Sequence, residues 1–183
     1  MKVAFDNTFL TLLIHPDSDS PLDPTTGLPV THIKHRIEAL IDDIQRRKAT
    51  IVIPSPCLAE VLTAASDPMK VKAAIDMESV LEVAAFCDRS AIELAILNKK
   101  HKEDGNKRGP GTGEWQKVKL DKQIVATAKA NGATVLYTDD ANQTSFALEA
   151  GMEVIHTWDL PLPPPFDQAD LLDGLEADSN QQV

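Results

Sequence analysis

Residues Leu120 to Asp140, LDKQIVATAKANGATVLYTDD, leave little freedom in how this chain folds. The first half carries Ile124, Val125 and Ala128 at the spacing of one apolar helix face. Asn131-Gly132 supplies a stop, because glycine adopts the left-handed backbone that ends helices. Ala133 to Tyr137 is short, apolar and β-branched, the signature of a buried parallel strand. Asp121 lies three residues before Ile124 and shares the side of the apolar stripe. Asp139 and Asp140 leave the end of the strand, where open α/β sheets place their ligands. Carboxylates at core-facing positions are costly unless something positive compensates them, and a metal ion is one candidate.

The rest of the chain repeats this alternation. Lys2 to Phe5 reads as a buried strand ended by Asp6, with Asn7 and Thr8 placed to cap the helix that follows. His15 to Val30, rich in Pro, Asp and Ser, reads as a loop. Thr31 to Lys48 is an amphipathic helix with Ile33, Ile37, Leu40, Ile41 and Ile44 inward. Ala49 to Ile53 is a second strand, and Pro54-Ser55-Pro56 breaks it. The helix CLAEVLTAA is apolar on nearly every side and is expected to be buried, which makes its single charge, Glu60, conspicuous. Met69 to Met77 reads as helix, Val80 to Phe86 as strand, and Asp88 to Lys102 as helix with Ile92, Leu94, Ala95 and Ile96 apolar. Glu103 to Glu114 holds four glycines and a proline and is expected to be a mobile loop. After Asp140 come a helix to Ala150 and a short strand, Glu153 to Ile155. No internal repeat is present. Strands alternating with helices predict an α/β protein with a mainly parallel sheet.

At 183 residues the chain is long enough for one sizeable core. The division expected is a domain over 1–157 and a Pro-rich acidic tail over 158–183. No apolar run approaches the ~20 residues that span a bilayer, so no membrane partner is expected. The N-terminus, with an acid at position 6, does not read as a signal peptide. Cys57 and Cys87, both in apolar surroundings, read as buried free thiols of a reducing compartment, hence the cytoplasm. The net charge is −10, but six of the 28 acids follow Trp158 with no Lys or Arg among them, which leaves 22 acids against 18 bases. The acidic total is therefore a weak argument against a nucleic-acid partner.

Asp6 and Asp140 leave the ends of two strands, Glu60 opens the helix after another, and Asp121 lies on a helix feeding a strand. Four acids at one sheet edge, with no fixed cation expected among them, would repel one another unless divalent metal bound there. An all-carboxylate set suits magnesium or manganese, whereas zinc sites favour Cys or His. Asp6 and Asp140 also have a blander reading as helix caps, and Glu60 as a hydrogen-bonded buried acid. The five histidines show no ligand spacing.

Strand–Asp6–Asn7–Thr8, Glu60 in an apolar helix, LDKQIVATA with Asp121, and Tyr137-Thr138-Asp139-Asp140 after a strand together resemble the PIN-domain nucleases, in particular the VapC-type toxin ribonucleases. The resemblance covers roughly residues 1–156. It implies a three-layer α/β/α, Rossmann-like fold and a magnesium- or manganese-dependent ribonuclease acting on single-stranded RNA. Many members are toxins of toxin–antitoxin pairs, so an antitoxin partner and a homodimer are expected by analogy. Asp6, Asp121 and Asp140 would hold metal that activates a water for in-line attack, with Glu60 ligating through water or orienting the nucleophile. Thr8 and Thr138 would hold the carboxylates in place. The family usually has Thr or Ser directly after its first acid; here Asn7 intervenes and Thr8 takes that role. The spacing after Thr138 selects Asp140, with Asp139 a possible substitute ligand.

Two further readings concern partners. Residues 99–122 hold eight of the 18 bases, and Lys107, Arg108, Lys117 and Lys119 are candidate RNA contacts on a mobile arm ending at Asp121. Trp115 is a weaker candidate for base stacking. The competing function classes are an RNA-processing PIN protein, an inactive PIN-like scaffold binding RNA or protein, and a phosphoacceptor signalling domain. The last wants an acid pair near the first strand, whereas here the pair comes late.

Overall fold

The computed structural model describes residues 1–162. Five strands, β1 (Lys2–Phe5), β2 (Thr50–Pro54), β3 (Leu81–Ala84), β4 (Ala133–Tyr137) and β5 (Glu153–Ile155), form one sheet in the order β3-β2-β1-β4-β5. Every pairing is parallel. The expected three-layer α/β/α architecture is present. Side chains alternate along each strand, so β1 sends Val3 and Phe5 to one face and Ala4 to the other. Ile51 and Ile53 oppose Val52 in the same way, as Val135 and Tyr137 oppose Leu136. Both faces are buried, which is why these strands read as continuous apolar runs.

On the first face lie α1 (Asn7–Ile14), α2 (Ile33–Arg46), α3 (Ser55–Ala64) and α4 (Pro68–Met77). They contribute Phe9, Ile37, Leu58 and Ile75 to the core there. On the second face lie α5 (Asp88–Glu103), α6 (Trp115–Ala130) and α7 (Ala141–Glu149), with Leu97, Val125 and Phe146 inward. The chain builds outward from β1 through β2 to β3, then crosses back to place β4 on the other side of β1. That reversal opens a crevice at the carboxyl ends of β1 and β4, the place where open α/β sheets bind ligands.

Several local expectations change. Asp6, not Asn7 or Thr8, caps α1, its side chain accepting from the Phe9 amide. Helix α3 is not buried all round: Cys57, Leu58 and Val61 face inward, whereas Ala59 and Glu60 are exposed. Alanine tolerates either environment, so an alanine-rich helix hides which face is solvated. In α5 the inward residues are Ser90, Leu97 and His101, and Ile92 and Ile96 are each 61% exposed. Cys87 is exposed, although Cys57 is buried as expected.

Helix α6 begins at Trp115, so that residue and Lys117 belong to the helix and not to a loop. The glycine-rich segment before it is held in place. Asn106 donates to the Gly109 carbonyl at 2.6 Å, Arg108 to the Gly113 carbonyl at 2.5 Å, and Lys122 to the Lys107 carbonyl at 2.9 Å. At the other end of α6, Gly132 takes φ +84°, the left-handed stop read from the sequence.

The packed unit extends past residue 157. Leu160 is buried in the core, Trp158 packs against it, and Arg36 donates to the Leu160 carbonyl. The rest of the expected tail, from residue 163, lies outside the described residues. Among the described residues no helix is long and apolar enough to cross a membrane.

Candidate functional site

Asp6 continues β1 by one residue, its amide donating to the Tyr137 carbonyl at 3.1 Å. The sheet thus carries the carboxylate to the mouth of the crevice. One carboxylate oxygen accepts from the Phe9 amide at 2.9 Å and the other from the Thr138 hydroxyl at 2.6 Å. Asp6 is 1% exposed, and burial pushes its pKa up to about 7 against the opposing pull of the Thr138 and Phe9 hydrogen bonds. The Thr138 hydroxyl also accepts from the Asp140 amide at 3.0 Å. Thr138 therefore ties the two strand-end acids together.

Asp140 caps α7 with one oxygen, which accepts from the amides of Asn142 and Gln143 at 2.8 and 3.0 Å. Its other oxygen accepts from Lys117 Nζ at 2.5 Å. The cap reading thus accounts for one oxygen of Asp140, and the other faces Lys117. Asp121, 3% exposed, accepts from Lys117 Nζ and from Asn142 Nδ2, both at 3.0 Å. Lys117 lies one helical turn before Asp121 on α6, which places its ammonium between the two carboxylates. Partial burial works against that charge, but the bonds to Asp140 and Asp121 outweigh it and raise the lysine's pKa.

Asp6, Thr8, Glu60, Lys117, Asp121, Asp140 and Gln143 line one cavity of about 190 Å³. The structure therefore brings together the four acids proposed from sequence, with Glu60 at an exposed margin and not buried. Asp139 is turned elsewhere: its two oxygens accept from the amide and hydroxyl of Thr157 at 2.8 and 2.7 Å. It holds the 3-10 turn Thr157–Asp159 and does not line the cavity. The His15–Val30 loop contributes nothing to the lining either.

Three participants escaped the sequence reading. Lys117, an expected RNA contact, is paired with Asp121 and Asp140 in the acid cluster. Its spacing to Asp121 was a legible helical ion-pair signal, obscured by starting the helix too late. Asn142 accepts from the Thr112 amide at 2.8 Å and donates to the Thr112 carbonyl at 3.0 Å while holding Asp121. Gln143 Oε1 is, among the described residues, the one buried side-chain oxygen or nitrogen without a hydrogen-bond partner. Neither amide stands out in sequence, because both look like ordinary first-turn helix residues.

As placed, no three His, Cys, Asp or Glu side chains among the described residues are arranged to hold a metal ion. Lys117 supplies the positive charge between Asp121 and Asp140 instead. The donor chemistry nevertheless fits a hard divalent ion: the lining residues carry four carboxylates and, among the described residues, no thiol or imidazole. An ion entering there would displace the Lys117 ammonium, which sits on a flexible stem half open to solvent.

No protein-family model matches the chain, and no curated protein sequence matches it. Its fold does match solved structures. The crystal structure of VapBC2 from Rickettsia felis bound to a promoter DNA fragment aligns with TM-score 0.54 and 17% identity over 85% of this chain and 98% of that one. A DNA-bound VapBC from Salmonella typhimurium aligns with TM-score 0.53 and 16% identity over 86% and 98%. The all-parallel five-stranded sheet between two helical layers is the PIN-like fold of those neighbours.

Proposed function

We propose that this protein is a magnesium- or manganese-dependent ribonuclease that hydrolyses single-stranded RNA, acting as the toxin of a toxin–antitoxin pair. The observation that carries the reading is the single cavity lined by Asp6, Glu60, Asp121 and Asp140. It sits where the sheet topology reverses. Asp6, Asp121 and Asp140 would hold the ion, with Glu60 at the exposed margin. A divalent ion supplies Lewis acidity, lowering the pKa of water and stabilising charge on a phosphodiester.

The chain's own residues do the positioning. Thr138 fixes Asp6 and the Asp140 backbone relative to each other. Asn142 fixes Asp121. Lys117 keeps the acids neutralised until an ion replaces it, and its displaced ammonium is then free to meet a phosphate entering the cavity. The deep burial of Asp6 favours its protonated form, so an ion there competes with a proton. Glu60, exposed, is the acid best able to orient a water from solvent.

The DNA-bound VapBC neighbours support an antitoxin partner for this chain. A homodimer is supported by apolar side chains left exposed at the β3 edge and on α5, namely Val83, Phe86, Ile92 and Ile96. Titrating manganese while following thermal unfolding tests the central claim. Wild type should gain stability by mass action, and the double variant Asp6→Asn, Asp140→Asn should not. Equal shifts in the two proteins would overturn the metal site, and a wild type that binds manganese but leaves single-stranded RNA intact would overturn the activity.

A further inference from the structure

Helix α6 has a second functional face. At 100° per residue, Lys117, Asp121 and Ile124 share the side that lines the acid cavity. Trp115, Lys119 and Lys122 fall on roughly the opposite side. There, between α5 and α6, lies a separate cavity of about 320 Å³ lined by Asn98, Lys102, Lys107, Trp115, Lys119 and Lys122, among others. Among the described residues, no carboxylate lines it. The basic run read from sequence therefore divides: Lys117 joins the acid cluster, whereas Lys102, Lys107, Lys119 and Lys122 gather on the far side of the helix.

Three of the four lysines of this cavity have no ion-pair partner among the described residues, in a protein of net charge −10. Nearby lysines outside it are paired: Lys99 with Glu103, Lys100 with Glu149, and Lys117 with Asp121 and Asp140. Lys102, Lys107 and Lys119 are exposed and reach no carboxylate among the described residues. The floor is built. Lys122 is 1% exposed, and its ammonium donates to Asn98 at 3.3 Å and to the Lys107 carbonyl at 2.9 Å and lies 2.8 Å from His101 Nδ1. His101 is anchored in turn by Glu149 at 2.5 Å. With its three hydrogen bonds made, Lys122 contributes field to the cavity and needs no ligand contact. Half-buried Trp115 supplies an aromatic wall, with Lys119 Nζ 5.2 Å from its ring centre.

An aromatic wall beside unpaired ammonium groups, in a volume that suits a single small ligand, matches a base attached to a phosphate. We propose that this α5–α6 cavity binds a nucleotide, the base stacking on Trp115 and the phosphate held by Lys119 and Lys107. The ligand is either a free nucleotide or one unit of an RNA strand. The inference goes beyond the ribonuclease reading and does not rest on cleavage.

Calorimetry with adenosine 5′-monophosphate, in chelator so that the acid cavity holds no ion, tests it on the full chain. Binding should weaken about tenfold or more in Lys107→Gln with Lys119→Gln, and similarly in Trp115→Leu. The lysine changes are at exposed positions, so they keep the test valid if the tryptophan variant fails to fold. Short single-stranded RNA that displaces the mononucleotide makes the ligand a unit of RNA; a mononucleotide that RNA cannot displace makes it a free nucleotide. Both outcomes support the site. No binding, binding indifferent to the lysine variant, or equal binding of inorganic phosphate alone would overturn it. Because metal is absent, failure here leaves the nuclease reading standing, and the reverse also holds.

Discussion

Replacing Asp6 by Asn should stabilise the metal-free protein, and the gain should depend on pH in a way fixed by burial. In the folded state Asp6 has a pKa of about 7 against an ordinary value of 3.8. Between those two values the folded protein keeps a proton that the unfolded chain has lost. Stability therefore falls as pH rises through this window and levels off above about 7. At 1.36 kcal/mol per pH unit, a window of about three units costs wild type roughly 4 kcal/mol at the most. Asn carries no such proton. Its oxygen can still accept from the Phe9 amide, and its NH2 can donate to the Thr138 hydroxyl that now donates to Asp6. The Tm of Asp6→Asn should thus match wild type near pH 4 and exceed it progressively up to pH 7, by about 8–16 °C at the ceiling. Differential scanning calorimetry in chelator across pH 4–8 reads this directly. A Tm difference that is flat with pH would refute the claim that Asp6 is held by burial without a compensating cation. Manganese should then reverse the order at pH 7.5, stabilising wild type and leaving the variant unmoved.

Lys117→Gln should lower metal-free stability by about 1 kcal/mol, since it leaves Asp121 and Asp140 facing each other. It should also move the manganese midpoint of a thermal-shift titration to lower concentration; a higher midpoint would mean the lysine helps to bind the ion instead of competing with it. In an RNA cleavage assay Asp140→Asn should lose about a hundredfold or more, whereas Asp139→Asn should retain most activity and lose stability through its contacts with Thr157. The opposite ranking would reassign the strand-end ligand. Gly109→Ala should destabilise by about 1–3 kcal/mol, because Gly109 has φ +64° and a Cβ there would come within 2.4 Å of the His101 ring. An unchanged denaturation midpoint would show that the glycine-rich segment does not pack as described.

The strands and the acids at their ends were legible because two local signals coincide there. Val3–Phe5 and Val135–Tyr137 are apolar on both faces, and Asp6 and Thr138 to Asp140 follow immediately, so period and punctuation agree. The start of α6 was obscured because Glu114 makes no side-chain cap hydrogen bond and glycines precede it. With that start hidden, the one-turn spacing of Lys117 and Asp121, which pairs them, does not stand out in the sequence. The environment of Glu60 was misjudged for a different reason: Ala59 and Ala64 flank it, and alanine carries no information about which way a helix faces. Asn142 and His101 act through partners distant in sequence, Asp121 and Glu149. No single-chain pattern encodes such pairs, because only the packing of α5, α6 and α7 brings them together.

Asp121 and Lys122 are adjacent, both nearly buried, and face different neighbours on α6. Deleting or inserting one residue between Trp115 and Asp121 would turn one part of the helix by about 100° relative to the other and shift it by about 1.5 Å. Such a change would break the spacing by which Lys117 reaches Asp121 or, if the first part held its place, would turn Asp121 and Lys122 away from Asn142 and His101. The helix is therefore intolerant of length change along its first turns, and the segment before it is tied down as well, by the Lys107 carbonyl on Lys122 and by Gly109 packed on His101. Relatives of this protein should keep the number of residues from Trp115 to Asp140 constant.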